Sequence, residues 1–169
     1  AQTYPNKELI IIGHKDDEAS RMVAGEGSEG NIRFYAVERA SVGLLRNTAI
    51  EKSSGEYFCL WDDDDWHHER RLEVQMSQLR NCGKDACALA YCLLYDKTHE
   101  QGYLSFPSVW HPTLLCKKDY FDFGIQYDDV EANEGMNFLM KLQTLNLVCP
   151  VVMPHLYIHV FNGNNIRNA

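Results

Sequence analysis

The chain has 169 residues, 45% of them hydrophobic and 24% charged, with a mean hydropathy of −0.37. That is enough chain for one domain with a real core, and an ordinary composition for a globular protein. A net charge of −8 argues against a nucleic-acid-binding surface, and no apolar run approaches the roughly 20 residues of a membrane span.

Residues 1–7 are polar and turn-like around Tyr4-Pro5-Asn6. Glu8–Ile12 is a short strand, apolar from residue 9 on and ending at Gly13, of the kind buried on both faces in parallel sheets. His14–Ala24 suits a short helix, and Gly25–Gly30 a loop. Asn31–Val37 alternates like a strand. Ala40–Ser53 reads as a helix with Val42, Leu45 and Ala49 on one face, stopped by Ser54-Gly55. Tyr57–Trp61 is an aromatic-rich buried strand. After four aspartates, His67–Met76 opens a helix that ends at Asn81-Cys82-Gly83.

Up to here strands and helices alternate, which argues a parallel sheet. The pattern then changes. Ala86–Tyr95 and Gly102–Phe106 read as strands around a polar turn, and Trp110–Cys116 as another. Lys117–Phe123 is a short helix. Glu134–Leu145 is an amphipathic helix with Phe138, Leu139 and Leu142 inward, and Val148–Met153 and Leu156–Phe161 are late strands. The fold class expected is α/β, in a single domain over residues 1–169, with a nucleotide-binding half over about 1–80 and an acceptor half over about 81–169.

Six cysteines occur without a CxxC pair, which argues against a zinc site. Cys59, Cys92, Cys116 and Cys149 lie in or beside apolar runs, where a free thiol behaves as a small hydrophobe. Reduced thiols and a cytoplasmic setting follow as the expectation.

The run Trp61-Asp62-Asp63-Asp64-Asp65-Trp66 carries the chemistry. It sits where a strand ends and a helix begins, and in open α/β sheets ligands bind at the carboxyl ends of strands. Two carboxylates about 5 Å apart repel by about 3 kcal/mol at an effective dielectric near 20. Either the side chains splay into water, with Asp65 capping the next helix, or a cation sits among them. Mg²⁺ and Mn²⁺ take such oxygen ligands, and Mg²⁺ commonly shares its shell with substrate phosphates.

Three stretches together resemble the inverting glycosyltransferases of family 2. They are Gly43–Ile50, then Ser54-Gly55-Glu56-Tyr57, then Asp62–Asp65. Gln2–Asn6 before the first strand, Thr113–Lys118, and Asn133–Leu139 extend the similarity over nearly the whole chain. The resemblance implies a GT-A-like fold, nucleotide-diphospho-sugar transferase-like, with a mixed, mostly parallel central sheet flanked by helices. It also implies a sugar donor carried on a nucleotide diphosphate, with Mn²⁺ or Mg²⁺ on the diphosphate. The metal would be held by Asp62 and Asp64, with Asp65 as a spare. Arg46, Asn47, Asp62 and Asp63 would contact the donor, and Glu134 would take the proton from a sugar, lipid-linked or protein acceptor. Polysaccharide biosynthesis follows by analogy, in the cytoplasm or at a membrane periphery.

Against the family pattern, the chain begins about one strand–helix unit late, so two flanking strands either meet directly or belong to a longer protein. Gly13-His14 stand where a base-binding acid is usual. Gly135 and Asn137 replace further acids near Glu134, and Asn162 stands where a histidine is common. These departures leave a non-catalytic binding module as an alternative. The aspartates alone also suit a metal-dependent phosphohydrolase or a calcium-binding structural module. Trp61 and Trp66 read as packing residues, and His67 and His68 as exposed residues at the helix start.

Overall fold

The structure, a computed structural model, describes residues 1–18, 21, 22, 25 and 31–163. Of the helix expected within His14–Ala24, residues 18, 21 and 22 are helical and 19, 20, 23 and 24 lie outside the described residues, as does the loop expected at Gly25–Gly30 except for Gly25. Two compact units interleave along the chain. One holds Asn6–Phe58 and Lys117–Leu145; the other holds Ala1–Pro5, Cys59–Cys116 and Asn146–Ala169.

In the first unit, β1 (Leu9–His14) and β2 (Ile32–Val37) pair in parallel, from Leu9 opposite Ile32 to His14 opposite Val37. They form a two-stranded sheet of their own. The flanking strands do not meet directly: β1 and β3 (Tyr57–Cys59) stand in different sheets. The isoleucines of β1 are accordingly half-buried rather than covered on both faces. Glu8 ties the start of β1 to its surroundings. It pairs with Arg33 and accepts from the Ser54 and Gly55 amides at 2.6 and 2.9 Å.

Helix α1 (Val42–Lys52) is capped by Ser41, whose hydroxyl accepts from the Leu44 amide at 3.2 Å. Its buried stripe is Gly43, Asn47 and Ile50, one position off the face read from the apolar residues. The reason is backbone proximity. A Cβ at Gly43 would lie 1.8 Å from the Asp128 carbonyl oxygen, so only glycine admits this approach. Helix α4 (Glu134–Thr144) buries Phe138, Leu139 and Leu142 as its 3.6-residue period requires, together with Glu134. Phe138 stacks on Tyr127 at 4.1 Å and meets the edge of Phe58 at 6.2 Å.

In the second unit, β5 (Ala86–Leu89) is buried throughout. It lies between β9 (Val148–Val151), parallel, and β8 (Leu115–Lys117), antiparallel. A second sheet runs β4 (Trp66–His67), β10 (Tyr157–Phe161), β6 (Leu93–Asp96), β7 (Gln101–Leu104). The run Ala86–Tyr95 is thus two strands in two sheets, not one. The switch is made at Cys92, whose amide donates to the Ser105 hydroxyl at 3.0 Å. Trp110–Cys116 divides likewise, because Pro112 forms a 3-10 turn over His111–Thr113 before β8 begins.

Helix α2 (Arg71–Cys82) starts four residues later than its sequence suggests and packs on β5 and β9. Trp66 and His67 are strand instead, opposite Ile158 and Tyr157 of β10. The helix ends on Gly83 at φ +63°, a left-handed stop that glycine adopts without strain. A short helix, α3, spans Asp119–Asp122.

Candidate active site

The acidic turn follows β3 and precedes β4 in the second unit. A buried cation holds its base. Arg71 is 0% exposed. Its Nη2 donates to the Leu60 and Pro112 carbonyls at 3.1 and 3.4 Å and lies 3.2 Å from Cys59 Sγ. Its Nε donates to Gln75 Oε1 at 2.9 Å, and the guanidinium lies over the rings of Trp61 and Tyr157 at 5.1 and 5.9 Å. Strand end, turn and helix are therefore joined through one planar donor fork, which a lysine could not reproduce. Burial raises the pKa of the Cys59 thiol, although Arg71 opposes that shift.

His67 is the next link. Burial, then the Arg71 charge, push its pKa down to about 4, so the imidazole is neutral at pH 7. Its Nδ1 faces Arg71 Nη1 at 2.6 Å, and arginine only donates, so Nδ1 accepts. The proton therefore sits on Nε2, which donates to the Asp62 carbonyl at 3.1 Å. Trp61 packs on the same imidazole with ring centroids 3.9 Å apart. Both His67 and Trp61 thus serve to fix the turn, and His67 is not an exposed helix-start residue.

At the other end, Asp65 is neither a spare acid nor a helix cap. The cap position of α2 is Arg70. Asp65 has a side chain 2% exposed and lies 2.9 Å from His159 Nδ1. It also accepts from the Tyr157 hydroxyl, and from the Val160 amide at 2.8 Å. Burial works to raise its pKa, but the contacts with His159, Tyr157 and Val160 outweigh burial and hold it below the usual carboxylate value. The same contact raises the pKa of His159 against its own burial, aided by the charges of Asp65, Asp64 and Asp62. Burial and Asp65 together raise that of Tyr157.

Between these two clamps, Asp62 is half-buried and Asp63 and Asp64 are exposed. Among the described residues, no group of three His, Cys, Asp or Glu side chains is arranged to hold a metal ion. The turn fits a hard cation only in a shell completed by other oxygens, such as water and phosphate, which is how Mg²⁺ is commonly bound.

Arg46, Asn47 and Glu134 belong to the first unit, where they gather at one place. Glu134 is 6% exposed and forms an ion pair with Arg46, which lies over the Tyr127 ring at 5.6 Å. Asn47, expected near the donor, is buried instead. Its Nδ2 donates to the Tyr127 carbonyl and its Oδ1 accepts from the Tyr127 amide, both at 2.9 Å. Both ends of its amide are thus used to hold the chain at Tyr127.

Sequence reading passed over Arg71, His67 and Tyr157 as site residues. Within α2, the four-residue spacing of Arg71 and Gln75 puts those two on one face.

Mixed sheets flanked by helices, with an acidic turn at a strand end, define an α/β protein of the GT-A fold. The Staphylococcus aureus TarS 1–349 structure in complex with UDP superposes with a TM-score of 0.75. It is 17% identical, over 95% of this chain and 53% of that one. The complex of the same protein with UDP-GlcNAc gives 0.76 at 16% identity, over 95% and 52%. The chain belongs to glycosyl transferase family 2, whose model matches residues 1–136. Glycosyltransferase GlyA of Streptococcus pneumoniae is 34% identical over 75 residues, 43% of this chain and 11% of that protein. The UDP-Glc:alpha-D-GlcNAc-diphosphoundecaprenol beta-1,3-glucosyltransferase WfgD of Escherichia coli is 32% identical over 79 residues, 46% of this chain and 31% of its own length. The chain spans between 11% and 31% of these two relatives. No helix among the described residues is long and apolar enough to cross a membrane.

Proposed function

We propose that this chain is the donor-binding and catalytic part of a glycosyltransferase that moves a sugar from a nucleotide-diphosphate donor to an acceptor hydroxyl, with inversion. The observation that carries this reading is the doubly clamped acidic turn, in a fold shared with a protein solved with UDP and UDP-GlcNAc. Asp62 and Asp64 would hold Mn²⁺ or Mg²⁺, with Asp63 beside the donor. The ion supplies charge neutralisation on the leaving diphosphate. Arg46 contributes a fixed cation, and Asn47 holds the backbone at Tyr127.

In the transfer step the acceptor oxygen bonds to the anomeric carbon. The bond from that carbon to the diphosphate breaks, and its electron pair leaves with the phosphate. Glu134 takes the acceptor proton. Arg46 pairs with that carboxylate beforehand, and proton transfer requires their contact to loosen as the acceptor binds. The acceptor is a sugar, lipid-linked or protein hydroxyl. The setting proposed is cytoplasmic.

The burial and pairing of Glu134 favour one other reading, a module that binds the donor without turning it over. The two separate on a panel of nucleotide sugars with Mn²⁺ and simple acceptors, reading nucleotide release and product configuration by NMR. Inverted product that Glu134→Gln abolishes supports transfer. Donor binding without release supports the binding module, and release independent of acceptor overturns both.

A further inference from the structure

We infer that Asp65 is a positioning residue, anchoring the acidic turn to β10 so that the neighbouring aspartates are presented in one arrangement. Its carboxylate lies with its back to solvent, whereas Asp63 and Asp64 are exposed. Both oxygens are engaged from a single strand. Oδ1 receives the Val160 amide at 2.8 Å and lies 2.9 Å from His159 Nδ1, and Oδ2 receives the Tyr157 hydroxyl. Two hydrogen-bond donors, with the His159 ring nitrogen beside them, are what stabilise this buried carboxylate as an anion.

The register explains why this site lies at residue 65. Strand β4 pairs with β10 through His67 opposite Tyr157 and Trp66 opposite Ile158. One residue further, the backbone ladder stops, and the Asp65 side chain continues it by taking the Val160 amide. The turn thus leaves the sheet at a defined point. At its other limb His67 Nε2 holds the Asp62 carbonyl. Four consecutive carboxylates repel one another. Withdrawing the last into its own hydrogen-bonded pocket removes one charge from the exposed face and fixes the spacing of the rest.

The consequence for ligand binding rests on the metal reading above, but the anchoring does not. The test uses Asp65→Ala, Asp65→Asn and Tyr157→Phe, each titrated with MnCl₂ in the presence of UDP at a temperature where the variant is folded. Asp65→Ala is expected to weaken Mn²⁺ affinity about tenfold or more, as loss of an orienting partner does. Asp65→Asn keeps an acceptor for the Val160 amide and should restore much of that loss. Combining it with Tyr157→Phe should cost less than the sum of the two. A Kd unchanged in all variants, with only the Tm lowered, overturns the inference. So does Asp65→Asn abolishing binding as fully as Asp64→Ala, since that would make Asp65 a direct ligand. If the wild type binds no Mn²⁺, the metal reading fails and hydrogen exchange decides the anchor. Amides 62–67 are expected to exchange about tenfold faster in Asp65→Ala, and unchanged exchange overturns the anchor.

Discussion

Arg71 Nη1 lies 2.6 Å from Nδ1 of His67, a buried cation against an imidazole that stays neutral. This pair joins the helix after the acidic turn to the backbone of its first aspartate. Removing Arg71 would take a donor from the Leu60 carbonyl and from the buried Gln75 Oε1. Arg71→Met is expected to cost about 3 kcal/mol or more of stability in urea unfolding, since several partners lose a donor together. Arg71→Lys should recover little, because one ammonium cannot span partners so widely spread.

The same pair sets a pH dependence. His67 has a folded pKa near 4, below its unfolded value of 6.5. Above 6.5 neither state is protonated and nothing is lost. As pH falls from 6.5 towards 4 the unfolded chain takes up a proton that the folded protein refuses, so stability falls. His159 works in the opposite sense. Its folded pKa is raised, so its contribution is full below the unfolded value and fades as pH rises through the folded one. The difference between wild type and His67→Gln isolates the first effect. Wild type should lose about 2 kcal/mol more than the variant between pH 7 and pH 4.5, after allowance for the half-buried ring.

Gly43→Ala tests the approach of α1 to the Asp128 carbonyl. Alanine favours a helix by up to about 1 kcal/mol over glycine. Here its Cβ would stand 1.8 Å from a backbone oxygen, which cannot swing aside as a side chain can. Net destabilisation of about 2 kcal/mol, read as a lowered Tm, is expected.

Asn47→Ala separates structure from donor contact. The variant leaves the Tyr127 amide and carbonyl without their side-chain partner. Stability should fall by about 2 kcal/mol, as for a buried polar group left unpaired. Nucleotide affinity of the folded variant should stay within about twofold, well under 1 kcal/mol.

What was legible in the sequence was local. Leu9–His14, Ile32–Val37, Val42–Lys52 and Glu134–Thr144 each carry their own period or cap, and each stands within two residues of its expected place at either end. The aspartate run was legible because four adjacent like charges need a physical reason. What was hidden depends on distant partners. Trp66 and His67 are strand only because β10, some 90 residues on, pairs with them. Arg71 is buried only because carbonyls at Leu60 and Pro112 converge on it. Asp65 differs from its three neighbours through Tyr157, His159 and Val160, and nothing in its own segment distinguishes it.

The measurement that bears most directly on the central claim is calorimetric titration with UDP, with and without Mn²⁺, on wild type and Asp64→Ala. The account predicts Mn²⁺-dependent binding by the wild type and its loss in Asp64→Ala with the Tm unchanged. UDP binding of equal strength with and without Mn²⁺, or binding that survives Asp64→Ala undiminished, would contradict it.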